Sequence, residues 1–269
     1  MVCYREPRNL EEHVPETSIA AQLYTVREFA KTPADIAFSL KRVGQMGYRA
    51  IQCSGLGPID PTELKTLADG EGLTICATHV GYDRLRDETD AVIDEHRIWD
   101  CRYVAIGGLP QPYREDGETG FIRFAKEATV VARKLSDAGL TFGYHNHSFE
   151  LERFGDRTAL QILFDETDPE VFQFEIDVYW IQHGGADPAA WLRKAKGRAD
   201  VIHVKDLAMK GREQLFAEVG EGNLNWPAIL EAAREAGTRW YAVEQDRCQR
   251  DPFESLEISL KNLQAMGLS

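Results

Sequence analysis

Basic residues are scarce relative to acidic ones in this chain of 269 residues. Lysine and arginine total 31 against 44 aspartates and glutamates, so the formal net charge is −13. Nucleic acids and anionic membranes bind basic surfaces, because their phosphates must be neutralised. The composition therefore argues against both classes of partner, although it does not address a local basic patch.

The sequence also lacks the features that mark secreted, disulfide-linked or membrane-spanning proteins. Its five cysteines are scattered, without a CxxC motif or the spacing of a zinc knuckle. The first 17 residues are polar and charged, unlike a signal peptide. No apolar run approaches the roughly 20 residues that a membrane span needs. We therefore predict a cytoplasmic protein with an N-terminal arm over residues 1–17.

What the sequence does contain is a regular alternation of strand and helix patterns. Short apolar runs such as AIQC (50–53) alternate with amphipathic segments such as 35–47, where Ile36, Leu40 and Val43 recur at helical spacing. Strands covered on both faces of a parallel sheet read as such apolar runs. Eight strand–helix units predict one α/β domain over residues 18–269, a (β/α)8 TIM barrel. A doubly wound sheet would more often stop at five or six strands.

Ligand-type side chains stand where the last four predicted strands end. The stretch TFGYHNHSFE (141–150) leads to Glu150, and the next three strands end near Asp177, His203 and Glu244. The carboxyl ends of barrel strands meet at one face, so we expect these four residues to converge. Three carboxylates and one imidazole suit a divalent cation such as Mn²⁺, Mg²⁺, Co²⁺ or Zn²⁺. Without a cation the carboxylates would repel one another.

Each of these residues taken alone has a purely structural explanation. Asp177 suits a helix N-cap, His203 a hydrogen-bonded core histidine, and Glu244 an ion pair with an arginine. Glu150 would suit a solvated loop. The metal hypothesis depends on the four occurring together at successive strand ends.

Further polar and aromatic residues are candidates for the same pocket. His79 ends the third predicted strand, and His145 and His147 share one face if the fifth strand continues. Lys205 lies two residues after His203 and so faces the same way. Gln22 in the first strand and Trp180 after the sixth are weaker candidates for substrate binding, because either also suits barrel packing.

Five motifs together resemble the xylose isomerase-like TIM barrel family, the sugar phosphate isomerase/epimerase superfamily. They are AQLYTVR (21–27), YHNHSFE (144–150), DVYW (177–180), HVKD (203–206) and VEQD (243–246). The resemblance implies one divalent metal held by Glu, Asp, His and Glu from strands five to eight. It also implies sugar or cyclitol substrates, with isomerase, epimerase, dehydratase or related lyase chemistry.

Three ligand positions match the family directly, at Asp177, His203 and Glu244. The fifth strand departs from the pattern, because many members place their first glutamate where this chain has Tyr144 or His145. We predict Glu150 as the fourth ligand, and the rivals for that position are His145, His147 and Glu152.

The predicted reaction removes a proton from a carbon next to a carbonyl. Glu150, Glu244 and His145 are the candidate bases, and His79 or His147 is the candidate acid. Return of the proton gives a sugar isomerase or epimerase, whereas loss of a leaving group gives a dehydratase or eliminase acting on an inosose or 3-keto-glycoside. Remote alternatives are a non-catalytic barrel subunit and an endonuclease IV-like nuclease.

The expected substrate is an unphosphorylated small carbohydrate. The loop after the eighth strand has no glycine, and acidic residues accompany the glycines of the loop after the seventh. Phosphate sites in barrels usually use glycine-rich backbone at these loops. Arg212, Arg247 and Arg250 would be the residues to bind an anion. Whether the chain forms a homo-oligomer is open at this point.

Overall fold

Eight parallel strands form a closed barrel in residues 19–269, the part of the chain that the computed structural model of the protein describes. Neighbouring strands pair in sequence order, and β1 closes the barrel against β8. The strands are β1 Ile19–Gln22, β2 Ala50–Cys53, β3 Thr74–His79, β4 Tyr103–Ile106, β5 Thr141–His145, β6 Phe172–Asp177, β7 Val201–Val204 and β8 Trp240–Val243. The predicted (β/α)8 barrel is confirmed, while the predicted arm over residues 1–17 lies outside the described residues.

Helices follow the strands around the outside of the barrel. Within residues 19–269, none of them combines the length and the apolar character needed to cross a membrane. The helices are α1 Pro33–Met46, α2 Pro61–Gly70, α3 Tyr82–Asp87, α4 Thr89–Trp99, α5 Gln111–Glu115, α6 Gly117–Asp137, α7 Ala159–Glu166, α8 Val178–His183, α9 Pro188–Lys194, α10 Trp226–Ala236 and α11 Pro252–Ala265.

Helix α1 shows how local sequence sets these elements. Thr32 and Asp35 form a reciprocal capping box at its start, and Pro33 occupies the first turn, where its missing N–H costs nothing. Gly47 ends the helix with φ at 110°, a conformation that is strained for residues with a side chain. The helix therefore begins and ends where the capping residues stand.

Two hairpins extend the loops after β5 and β7 and were not predicted from the sequence. The first pairs Arg153–Phe154 with Arg157–Thr158, and the second pairs Asp206–Lys210 with Glu213–Ala217. The Asp206 carboxylate, at the base of the second hairpin, anchors the loop that follows it. It accepts hydrogen bonds from the backbone N–H groups of Leu207, Gly220, Gly222 and Leu224 and from the Trp226 indole.

The barrel interior changes character along its axis. Small or aliphatic side chains such as Ala20, Ala50 and Val201 pack together at the amino ends of the strands. At the carboxyl ends the same strands turn buried Gln22, Gln52 and other polar groups inward. Buried polar groups require partners, so this end of the barrel is where functional contacts are expected.

Candidate metal centre

Four side chains from consecutive strand ends meet in the barrel. His145 ends β5, Asp177 ends β6, His203 lies in β7, and Glu244 directly follows β8. One ligand atom from each lies within 4.8 Å of all the others, and all four residues are buried. Two imidazoles and two carboxylates are a donor set that suits divalent Mn, Co or Zn. The residues present therefore fit the metal that the strand-end pattern predicts.

Short contacts already link these four residues in pairs. His145 Nε2 lies 3.1 Å from Asp177 Oδ2, and His203 Nδ1 lies 3.0 Å from Glu244 Oε2. The other carboxylate oxygen of Asp177 accepts the Trp180 backbone N–H at 2.9 Å. Asp177 is thus the N-cap of α8 and a member of the cluster at once, because its two oxygens serve different partners.

Glu150 does not reach the cluster, which corrects the prediction that it completes the set. The chain leaves β5 at His145 and turns back through the short 3₁₀ segment Phe149–Leu151. This turn directs the Glu150 carboxylate to the Tyr144 hydroxyl at 2.7 Å and to the His147 backbone N–H at 2.9 Å. Burial raises the pKa of Glu150 to about 7, although both hydrogen bonds oppose the shift. His145, named above as a rival, stands in the cluster instead.

Lys205 lies among the acids of the site and is fully buried. Its ammonium group is 3.0 Å from Asp177 Oδ2 and 2.7 Å from Asp246 Oδ2, and it also pairs with Glu244. Burial disfavours the charged ammonium, but these three carboxylates outweigh it and hold the pKa of Lys205 well above its usual value. Lys205 consequently neutralises part of the negative charge that gathers here.

A second group of side chains adjoins the first, and two of its members, Glu175 and Gln52, were not predicted from the sequence. Glu175 Oε2 contacts His79 Nε2 at 2.5 Å and His203 Nε2 at 3.2 Å, while its other oxygen accepts Gln52 Nε2 at 2.6 Å. Burial opposes ionisation, yet the two histidines hold the pKa of Glu175 well below its usual value. Glu175 stands two residues before Asp177, so strand alternation was the available signal.

His203 connects the two groups. Burial alone would lower its pKa, but the Glu175 and Glu244 carboxylates raise it to about 10. Its Nε2 also lies 2.8 Å from Gln52 Oε1.

The polar groups border a cleft of about 240 Å³, here called the central cleft. It is lined by Tyr24, Ser54, His79, His145, His147 and Glu244, among others. Nδ1 of His147 is buried and has no hydrogen-bond partner within residues 19–269. Burial, and then the nearby His145, lower the pKa of His147 to about 3, so its imidazole is neutral at neutral pH.

Two glycines after β4 make room for the imidazoles of the cleft. A Cβ at Gly107 would lie 3.2 Å from His79 Nδ1, and one at Gly108 would lie 3.2 Å from His147 Cε1. Gly108 also has φ at 154°, which disfavours other residues. The glycine pair thus keeps the fourth strand end free of side chains.

The remaining predicted residues lie at the edges of the site. Trp180 packs its ring 5.2 Å from that of His147, and the Lys205 ammonium is 5.7 Å from the indole. Gln22 is buried, and its side-chain oxygen accepts the Tyr24 N–H at 3.1 Å. Neither residue belongs to the four-residue cluster.

The chain belongs to the xylose isomerase-like TIM barrel family, which matches residues 40–266. It is 24% identical to an inosose dehydratase of Geobacillus kaustophilus (strain HTA426), over 80% of this chain and 82% of that protein. It is 25% identical to the rhizopine catabolism protein MocC of Rhizobium meliloti, over 85% of this chain and 80% of that protein. A solved sugar phosphate isomerase/epimerase from Parabacteroides distasonis ATCC 8503 superimposes with a TM-score of 0.78 at 23% identity. That match covers 95% of this chain and 96% of the other, and it shows a shared fold.

Proposed function

We propose that this chain is a divalent-metal-dependent enzyme that removes a proton next to the carbonyl of an unphosphorylated keto carbohydrate. The observation that carries the proposal is the convergence of His145, Asp177, His203 and Glu244 beside a cleft that contains further imidazoles. Family membership and the names of the relatives support a sugar or cyclitol as the substrate. A cytoplasmic location remains a prediction from the sequence.

The four clustered residues would hold the metal, and Mn²⁺ is the ion we favour. When bound, such an ion acts as a Lewis acid that stabilises negative charge developing on a carbonyl oxygen. Lys205 adds a fixed positive charge next to the same carboxylates. Glu244 and His145 are held by their contacts within the cluster, so we assign them to metal binding rather than to proton transfer.

His79 is the group we propose for proton transfer. The Glu175 carboxylate binds its Nε2, which leaves Nδ1, 3.4 Å from Ser54 Oγ, as the nitrogen that accepts a proton at the cleft. An imidazole oriented by a buried carboxylate is a common general base. His147 lines the same cleft and its imidazole is neutral, so we propose that it hydrogen-bonds a substrate oxygen through the part of the ring that faces the cleft.

Return of the proton would make the enzyme an isomerase or epimerase. A second outcome, dehydration or elimination, is favoured by the inosose dehydratase among the relatives. His147, the second imidazole that lines the cleft, would then act together with His79 on the oxygen that leaves. Both outcomes share the first proton-removal step.

The test is a screen of keto sugars, inososes and 3-keto-glycosides with the Mn²⁺-loaded protein in D₂O, followed by NMR. Deuterium at one carbon of unchanged or isomerised sugar supports an isomerase or epimerase, whereas an unsaturated product supports a dehydratase. We expect a chelator to abolish turnover and added Mn²⁺ to restore it. Turnover that is indifferent to chelation would contradict the proposal. Protein that binds no metal and turns over no substrate would indicate a non-catalytic subunit.

A further inference from the structure

A second cavity, of about 300 Å³, adjoins the central cleft. We call it the side cavity. The two spaces share Ser54, His79 and Val80 as lining residues. These residues directly follow or end β2 and β3, so both spaces lie at the carboxyl end of the barrel. A molecule seated against His79 in the central cleft therefore has the side cavity as its neighbour.

The two spaces differ in the chemistry of their walls. The central cleft is bordered by imidazoles and carboxylates, as described above. The side cavity is lined instead by Leu56, Pro58, Ile59 and the half-buried ring of Trp99. The Trp99 N–H is already used, because it donates to the Pro61 carbonyl at 3.0 Å. This wall thus offers mainly apolar contact to the flat face of a ring.

A charged pair forms the polar part of the side cavity. Arg84 and Glu95 both line it, and Glu95 Oε1 accepts a hydrogen bond from Arg84. The two side chains are 40% and 21% exposed, so a hydroxyl group on a bound molecule can reach this pair.

The loop that forms the rim is held in place by backbone contacts. Gly57 donates its N–H to the Ala30 carbonyl at 2.7 Å. A Cβ at Gly57 would lie 2.0 Å from the Lys31 carbonyl oxygen, so only glycine allows this approach. The side cavity is thus largely preformed, as small-molecule sites usually are.

We infer that the side cavity is a subsite for the glycosidic substituent of the substrate. The inference rests on the proposed function, and it narrows the substrate class from free keto sugars to keto-glycosides. The substituent it fits is a ring with an apolar face and at least one hydroxyl group. The apolar wall contacts the ring face, and the Arg84–Glu95 pair hydrogen-bonds the hydroxyl group. A hydroxyaryl group and a second sugar ring share this chemistry.

Binding and turnover would be measured for matched ligands with the Mn²⁺-loaded, full-length protein. The turnover set is 3-keto-glucose, its phenyl glycoside, its 4-hydroxyphenyl glycoside and a 3-keto-disaccharide. Calorimetric binding of glucose and of 4-hydroxyphenyl glucoside gives a readout that needs no reaction. We expect the 4-hydroxyphenyl compounds to be favoured over the free sugars by about 10-fold or more, since apolar pocket contacts are worth that much. If the 4-hydroxyphenyl glycoside is turned over more efficiently than the 3-keto-disaccharide, the substituent is an aryl group; the reverse order identifies it as a second sugar.

Two variants test the location of the subsite. Leu56→Trp fills the side cavity and should remove the roughly 10-fold preference for substituted sugars. Val130→Trp adds the same ring at a position that is 70% exposed on α6 and should leave the preference unchanged. Glu95→Gln, which keeps the size of the side chain, should selectively weaken the 4-hydroxyphenyl compounds relative to the phenyl ones. It tests the inference even if Leu56→Trp fails to fold.

The subsite and the proposed function are distinguished by different outcomes. Turnover of free and substituted keto sugars with equal efficiency, unchanged by Leu56→Trp or Glu95→Gln, would overturn the subsite and leave the proposed function intact. No turnover of any keto sugar, with tight binding of 4-hydroxyphenyl glucoside that Leu56→Trp abolishes, would overturn the proposed function while supporting the subsite. Neither turnover nor preferential binding would overturn both.

Discussion

The two halves of the barrel carry different chemistry at their carboxyl ends. Strands β5 to β8 present ionisable groups, namely His145, Glu175, Asp177, His203 and Glu244. Strands β1 to β4 end instead in the amides Gln22 and Gln52, the imidazole of His79 and the glycine pair 107–108. The ionisable half therefore contains the candidate cation site, and the neutral half contributes hydrogen-bonding groups and the open end of β4 to the cleft.

This division has an electrostatic reason. Buried carboxylates are tolerated only next to positive charge or strong hydrogen-bond donors, and Lys205 and His203 both stand in the ionisable half. Glu175 is the point of contact between the halves, because it binds His79 and Gln52 across the barrel. Changes of charge should consequently have different effects on the two sides.

The largest effect is expected from Asp177→Asn. The neutral amide is a poor metal ligand, so bound metal should be lost. If metal stabilisation is worth several kcal/mol, kcat should fall by about 1,000-fold. Asparagine still caps helices well, so the α8 cap should persist, whereas loss of the buried contact with Lys205 should lower the thermal midpoint. Elemental analysis, kinetics and thermal melting check these outcomes.

Asp187→Asn is the matched control, because Asp187 caps α9 in the same way outside the site. Full activity and metal content in Asp177→Asn would show that the cluster does not bind the ion.

A smaller effect, on stability, is expected at Glu150 within the ionisable half. Its pKa of about 7 lies above the ordinary value of 4.5. A raised carboxyl pKa contributes stability at low pH that is lost as pH rises through the folded value. Relative to Glu150→Gln, the wild type should therefore lose about 3 kcal/mol of unfolding free energy between pH 4.5 and pH 8.

Urea unfolding across this pH range measures that difference, with the exposed Glu152→Gln as the control. If the unfolding free energies of the wild type and Glu150→Gln changed equally with pH, Glu150 would be ionised over the whole range.

The neutral half is tested by giving it a charge. Gln52→Glu replaces an amide that donates to Glu175 at 2.6 Å with a second carboxylate. Like charges at this distance repel, so the variant should be less stable by about 2 kcal/mol at neutral pH. The loss should shrink in acid, as the new carboxylate becomes protonated.

Chemical denaturation of Gln52→Glu and of the exposed control Gln264→Glu measures this effect. If the two variants were equally stable, a negative charge at position 52 would not be disfavoured by Glu175.

The smallest effect is expected at Arg250, on the rim of the ionisable half. Its guanidinium lies 3.3 Å from Glu218 Oε1 and 3.0 Å from Glu221 Oε2, so its charge is already paired with two carboxylates. An arginine already paired with two carboxylates, one of them on the buried Glu218, attracts an added anion only weakly, so Arg250→Ala should change the ratio of kcat/KM for a keto sugar and its phosphate ester by less than about twofold. A strong preference for the ester, lost in Arg250→Ala but kept in Arg97→Ala, would instead indicate a phosphate site.

The fold was largely predictable because its signals are local. Periodic apolar residues and capping residues such as Thr32 and Gly47 act within one helix, so α1 was found where its pattern lies. The hairpin Asp206–Lys210 with Glu213–Ala217 was missed. The hairpin is stabilised by hydrogen bonds from the backbone N–H groups of Gly220 and Leu224 to the Asp206 carboxylate. These residues are 14 and 18 positions away in sequence, so the pattern of apolar residues gives no signal for the contact.

The sequence by itself placed Asp177, His203 and Glu244 at one end of the barrel, because strand ends and side-chain alternation are properties of short segments. Only the tertiary structure decided between Glu150 and His145, since the answer depends on where the chain turns after β5. It also revealed the pairing of Gln52 with Glu175, which are 123 positions apart. Such contacts arise from closure of the barrel, which brings together side chains whose separation in sequence carries no signal.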